Sequence, residues 1–369
     1  MSSKKFKRVL RNPFKDRTPV LHFRAGQNIL ITLLSFAFSV SATRLFLEIT
    51  GYPQLGSGEL HIAHVLWGGL LLFAAALIPI ILVNEWAITL SALVSGLGVG
   101  LFIDEVGKFI TSTNDYFFPS AAPIVYAFFL LTVLVSLQVR LKRPKTARSK
   151  MYEILDRFAE VLDRDLSSYE REELLQSLSE IRQTSDNRDL SELASAMQNY
   201  LTTHKVTVET ERPNFLDRLS LGWMKFERKY LNRSRLRVYV IVGLFAWGIW
   251  ALVSPVVFLT ISRDPAHLQL FIEELISDNL MRNASGLTWF EARIILEGGI
   301  GVCALVAGAL IWCKAERVGS WIGLISLLIA LTVVNLLVFY FDQFSSIAQA
   351  AYQFAILVLL LRFRQRFLK

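Results

Sequence analysis

Eight apolar blocks dominate this chain, at about 27–47, 60–83, 86–108, 121–140, 237–261, 290–312, 318–341 and 345–361. Each is long enough for an α-helix, at about 1.5 Å per residue, to cross roughly 30 Å of hydrocarbon. Composition agrees. Of 369 residues 53% are hydrophobic and only 19% charged, with mean hydropathy +0.43, too apolar for a soluble chain of that size. The expected fold class is an all-α polytopic membrane protein with eight transmembrane helices. Soluble Rossmann-type enzymes, secreted disulfide scaffolds and free-standing nucleic-acid binders are excluded. The two cysteines, Cys303 and Cys313, lie ten residues apart on one block, about 15 Å along a helix. That is beyond disulfide reach, and they read as small buried apolar residues.

Lysine and arginine set the orientation. The basic segment 1–24, the cluster Arg140–Lys150, the run Arg228–Arg237, the pair Lys314 and Arg317, and the tail from Arg362 to Lys369 all fall on one side if both termini are cytoplasmic. That satisfies the positive-inside rule. A signal peptide ending near Val40-Ser41-Ala42 is the competing reading. The basic region before it is too long for one.

A cytoplasmic insert separates blocks four and five. Residues 150–211 carry fourteen acidic residues against seven basic ones in a chain whose net charge is +8. The basic surplus therefore belongs to the membrane-proximal surface, and no nucleic acid need be invoked. Leu155, Phe158 and Leu162, then Leu174, Leu178 and Ile181, then Leu190, Leu193, Met197 and Leu201 recur at helical spacing. Ser167 with Glu170 reads as a capping box, and Asp189 with Glu192 as a similar start signal. The expectation is an acidic helical bundle over 147–211, open to a cytoplasmic protein partner. Residues 212–236 read as a basic amphipathic helix on anionic inner-leaflet lipids. A partner-docking helix is the other reading.

The halves resemble each other. Gly68-Gly69 corresponds to Gly298-Gly299, Asp115 to Asp342, Ser120 to Ser346, and Tyr126-Ala127-Phe128 to Tyr352-Gln353-Phe354. Four spans per half predicts two parallel four-helix repeats, 25–146 and 237–369, related by an axis along the membrane normal. An outer-surface amphipathic helix at about 264–282 interrupts the second.

With this orientation the polar residues gather at the outer ends of the spans: Arg44, Glu48, His61, His64, Asp104, Glu105, Lys108, Asp115, Glu291, Arg293, Glu297 and Asp342. Ionisable groups at membrane depth are costly and mark functional sites. Plainer readings stand beside this one. Lys108 can pair with Asp104 at i+4 and Glu105 at i+3 along a helix. Gly96, Gly98 and Gly100, and Gly299, Cys303 and Ala307, read as helix-packing faces, or the first set as a hinge. His61 and His64, at i and i+3, could share a divalent transition metal with Asp104, Glu105, Asp115 or Glu297, or serve as interfacial hydrogen-bonding histidines.

The segment Gly-Leu-Phe-Ile-Asp-Glu-Val-Gly-Lys-Phe-Ile-Thr (100–111), followed by Asn-Asp-Tyr-Phe (114–117), resembles a family of uncharacterised bacterial multi-pass membrane proteins. The resemblance covers chiefly spans two to four. It implies a bacterial inner-membrane location and carries no activity, ligand or site role.

The expected function is binding of an ion or small polar solute in an outward-facing cavity, for transport or sensing. Its candidate contacts are Glu297, Asp104, Glu105, Lys108, Asp115, Glu291, Arg293, Asp342 and His64. The alternatives are a metal-dependent intramembrane enzyme built on His61 and His64, and a scaffold working through the cytoplasmic insert.

Overall fold

The computed structural model describes residues 19–51, 63–116, 118–140, 146–159, 161, 166–185, 187–203, 232–264, 269, 271, 273 and 284–368. Among them all regular structure is helical. Seven helical stretches are long and apolar enough to cross a membrane: Ala25–Thr50, His64–Ile81, Glu85–Asp104, Ala121–Arg140, Arg233–Ile261, Gly286–Trp312 and Glu316–Phe367. The chain is therefore a multi-pass helical membrane protein. The count is seven where eight blocks were expected, because the last two blocks lie within one helical stretch of 52 residues. His61, most of 212–236 and most of the proposed outer helix at 264–282 lie outside the described residues.

The described residues form two compact units, one within Met1–Gln27 and Val135–Leu219, the other within Asn28–Leu134 and Ser220–Lys369. In the first, α6 (Ala147–Arg157), α7 (Ser168–Thr184) and α8 (Arg188–Thr203) enclose Met151, Ile154, Leu174, Leu178, Ile181, Ala194, Met197 and Leu201. The expected capping box forms: the Ser167 hydroxyl accepts from Glu170 N, and the Glu170 carboxylate accepts from Ser167 N. The other start signal is displaced, since Asn187 Oδ1 accepts from Leu190 N at the start of α8. Leu155 and Leu193, expected on the apolar faces, are exposed. Met151, Ile154 and Ala194 take their places.

In the second unit α1 (Ala25–Thr50), α2 (His64–Ile81) and α3 (Glu85–Asp104) pack through small residues. A β-carbon on Gly96 or Gly100 would collide with Ser35 or Ser39 of α1, and one on Gly98 would stand 2.9 Å from Leu72 N of α2. Ser39 Oγ donates to Leu97 O at 2.9 Å and Thr32 Oγ1 to Ala92 O at 3.0 Å. The glycines of α3 thus wedge an unbroken helix between two others, so their role is close packing and not a hinge. In the other half α9 (Arg233–Ile261) meets α10 (Ala284–Trp312), where Gly301 approaches Ala251 and Gly248. Ala304 and Ala307 are fully buried there. Gly299 has no neighbour within 4 Å of a β-carbon and Cys303 is exposed, so the packing face of α10 is not the Gly299–Cys303 stripe.

The long last stretch runs through α11 (Glu316–Ile329), a π-helical turn (Ala330–Val334), α12 (Asn335–Asp342), a 3-10 turn (Gln343–Ser346) and α13 (Ile347–Phe367). It folds back on itself. Asn335 Nδ2 donates to Gln353 Oε1 at 2.9 Å, a pair that one straight helix would hold about 27 Å apart. The reversal is made at Gln343, whose φ of 49° and ψ of −136° fall in a region that favours glycine. The π turn joins the halves. Asn335 N bonds Ala330 O in place of Leu331 O, and the carbonyl so released accepts from Tyr126 Oη of α5 (Ala121–Arg140) at 2.6 Å. The Tyr126 ring stacks on Phe339 at 4.4 Å.

Candidate functional site

Two ion clusters lie in the second unit. The first grows from a break in the chain. Span three does not continue to residue 108: α3 ends at Asp104, and after Glu105 a short helix α4 (Val106–Ile110) begins. Both acids are fully buried at this break. Asp104 Oδ1 accepts from Arg44 Nε at 2.6 Å, and its Oδ2 lies 2.7 Å from the donating Tyr116 Oη and 3.1 Å from His64 Nε2. Arg44 Nη2 also donates to the Asp104 carbonyl at 3.0 Å. Glu105 accepts from Lys108 Nζ at 2.5 Å and from Val65 N at 2.8 Å. That last bond explains how α2 starts. Ala63, its N-cap, has no side chain to offer, and the Glu105 carboxylate supplies both the acceptor and the negative charge that a helix start favours.

The predicted pairing of Lys108 with Asp104 does not form. The break at Glu105 takes residues 104 and 108 off a common helix face, and Arg44 occupies the position instead. The Arg44 guanidinium is sandwiched, 4.2 Å from the Tyr116 ring and 3.6 Å from that of Phe344. His64 lies edge-on to Tyr116, with ring centroids 6.1 Å apart. Burial, and after it the negative charge of Asp104, pushes the Tyr116 phenol well above its usual range. It therefore stays a donor at neutral pH. Two carboxylates face two cations, and each Asp104 oxygen has a donor. Chemically this cluster is closed.

The second cluster lies on α10, α12 and α13. Arg293 holds Asp342 with both terminal nitrogens, Nη1 to Oδ1 at 2.7 Å and Nη2 to Oδ2 at 2.5 Å. Its guanidinium lies 5.9 Å from the Phe290 ring and 5.7 Å from the Phe341 ring. One turn along α10, Glu297 is only 6% exposed. Its Oε1 accepts from Gln349 Nε2 at 3.3 Å. Its Oε2 stands 3.5 Å from Arg293 Nε, and neither atom has a hydrogen-bond partner. Here two carboxylates share one cation, already engaged by Asp342. Glu297 is left under-coordinated.

The expected contacts are thus divided. His64, Asp104, Glu105 and Lys108 meet in the first cluster, and Arg293, Glu297 and Asp342 in the second. The turn carrying Asp342 also carries Phe344, which caps Arg44. Asp115 is placed by its backbone: its N–H bonds Thr111 Oγ1 at 2.8 Å, and its carbonyl would meet a β-carbon on Gly107 at 2.7 Å. Glu291 is exposed on α10. Among the described residues no group of three or more His, Cys, Asp or Glu is arranged to hold a metal ion. The residues that candidate contacts did not include are Arg44, Tyr116, Phe344 and Gln349. Arg44 carried a signal, as a cation within an apolar block. Its spacing to Glu48 points to a helical pair, while its partner lies across the bundle.

No family model, no curated protein and no solved structure matches this chain.

Proposed function

We propose that the protein binds an ion or small polar solute at Glu297, for transport or sensing across a bacterial inner membrane. One observation carries the reading: Glu297 is a buried carboxylate with an oxygen that no donor satisfies, in a cluster holding two acids and one cation. A carboxylate so placed is expensive unless it takes up a proton or a cation, so the favoured ligand is cationic. The Asp104 cluster, self-neutralised, is the fixed frame beside which this exchange occurs.

The topology that suits this role has eight crossings, with the reversal at Gln343 dividing the last stretch into two. The basic ends, including Arg237, Arg364 and Arg366, face the cytoplasm under the positive-inside rule. A duplicated origin is favoured by the glycine pairs. Gly68 and Gly298 each meet a neighbour closer than 3.0 Å, whereas Gly69 and Gly299 each face open space. The acidic bundle would regulate the membrane part or recruit a partner.

The test is flux. Proteoliposomes of the full chain, carrying a trapped pH dye or given radioactive sodium, are expected to show gradient-driven uptake of protons or of the cation. Glu297→Gln should abolish it while the protein remains folded. Equal flux in wild type and variant would sink the reading.

A further inference from the structure

Two basic cavities open where α9, α10, α11 and α13 end, and they differ in a way that matters. The first, about 430 Å³, is lined by Arg233, Ser234, Arg237, Lys314 and Glu316. Glu316 occupies it electrostatically, pairing with Arg233 at 3.1 Å and Arg237 at 3.2 Å. The second, about 300 Å³, is lined by Arg317, Ser320, Trp321, Arg364 and Leu368. It contains two guanidinium groups and no acid. A volume of this order is at the small end of ligand sites.

The Arg364 side chain is oriented by a contact that leaves one of its nitrogens unused. Its guanidinium lies 3.8 Å from the Trp321 ring, which fixes the plane of the fork. Yet its Nη1 is buried and has no hydrogen-bond partner. Its position in the last turn of α13 favours a cation through the helix dipole but supplies that nitrogen with no acceptor. Arg317, exposed on the first turn of α11, brings a second positive charge to the same cavity, and no ion pair of its side chain occurs among the described residues. A planar, oriented guanidinium with a second cation beside it matches a phosphate group, which can accept two parallel N–H bonds. Trp321, 55% exposed, and Leu368 give the rim an amphipathic character suited to the headgroup level of a bilayer.

We infer that the cavity between Arg317 and Arg364 binds a phosphate-bearing anion, in the membrane the headgroup of an anionic phospholipid. This site is independent of Glu297 and of the reading of that residue.

Native mass spectrometry of the full chain in detergent tests it, with dioleoylphosphatidylglycerol, dioleoylphosphatidylcholine or inorganic phosphate as the probe. Wild type is expected to retain phosphatidylglycerol in preference to phosphatidylcholine. Arg317→Gln and Arg364→Gln should each weaken that retention about tenfold, and Arg233→Gln, in the cavity where Glu316 already pairs with both arginines, should leave it unchanged. Retention of inorganic phosphate that depends on the same two arginines would support the site and make free phosphate its source. Retention of phosphatidylglycerol alone would make the lipid its source. Should Arg364→Gln fail to fold, Arg317→Gln decides, since that side chain is on the surface. Unaltered phosphatidylglycerol retention in a folded Arg317→Gln protein, or no preference in wild type, would overturn the inference.

Discussion

The Asp104 and Glu297 clusters use the same residue types, and both bury their acids, but they balance differently. Around Asp104 and Glu105 stand Arg44 and Lys108, with His64, Tyr116 and Val65 N completing the donors. Around Asp342 and Glu297 the one cation among the described residues is Arg293, whose terminal nitrogens both serve Asp342, and Gln349 adds a single neutral donor to Glu297. The lesson is that burial of a charge in a membrane protein does not itself mark function. The number of donors per carboxylate is what separates the two clusters. Under the proposed function the saturated Asp104 is part of the scaffold, and the unsatisfied Glu297 holds a place for the ligand.

The comparison breaks most visibly at Asp104. Asp104→Asn leaves the buried Arg44 guanidinium without a counter-charge, and removing one partner of a buried pair costs about 3–5 kcal/mol. Thermal unfolding in detergent should show a large loss of stability. Replacing both members, as in Arg44→Leu with Asp104→Leu, should recover much of it, because the uncompensated charge goes too. A smaller loss is expected at Tyr116. Its hydroxyl donates to a charged acceptor, so Tyr116→Phe should cost about 1.5–3 kcal/mol. Because burial and Asp104 hold this phenol protonated, that difference should not vary between pH 6 and about pH 9. A difference that shrinks over this range would show that the hydroxyl is not the donor to Asp104.

Much of this architecture was legible in the sequence, for a physical reason. Apolar length and helical spacing are local, so the spans and the capping box at Ser167 could be read directly. Three features were not. The break at Glu105 follows from a carboxylate turning back to cap α2, a contact 40 residues apart in sequence. The partner of Arg44 lies 60 residues away, while its i+4 neighbour Glu48 is the local temptation. The reversal between blocks seven and eight turns on one backbone angle at Gln343, a residue whose type gives no warning of a positive φ. Site membership followed the same pattern: residue types and the end of the span were readable, but the division into a closed and an open cluster depends on side chains converging from distant helices.

The strained turn at Gln343 offers a milder test. It positions Asp342 for Arg293 and Phe344 over Arg44, so it serves both clusters. Backbone in a sparsely populated region costs on the order of 1 kcal/mol or more for a residue with a β-carbon. Gln343→Gly should therefore raise stability by about 1 kcal/mol in thermal unfolding if the strain is only structural. A loss of stability would instead show that the Gln343 side chain contributes more than the strain removes.

The smallest stability effect is expected where the functional effect is largest. Glu297→Gln keeps the size and shape of the side chain, and its amide can still meet Gln349. What it removes is a buried charge that has no full partner, so the desolvation relieved offsets the weakened attraction to Arg293 at 3.5 Å. The change in unfolding free energy should stay within about 0.5 kcal/mol of zero, against the several kcal/mol expected for Asp104→Asn. If Glu297→Gln proved as damaging as Asp104→Asn, the acid would be a structural partner of Arg293, and the contrast between the clusters would collapse. A folded protein with unchanged stability and no flux would give that contrast its meaning, since one acid would then hold the bundle together and the other would hold its cargo.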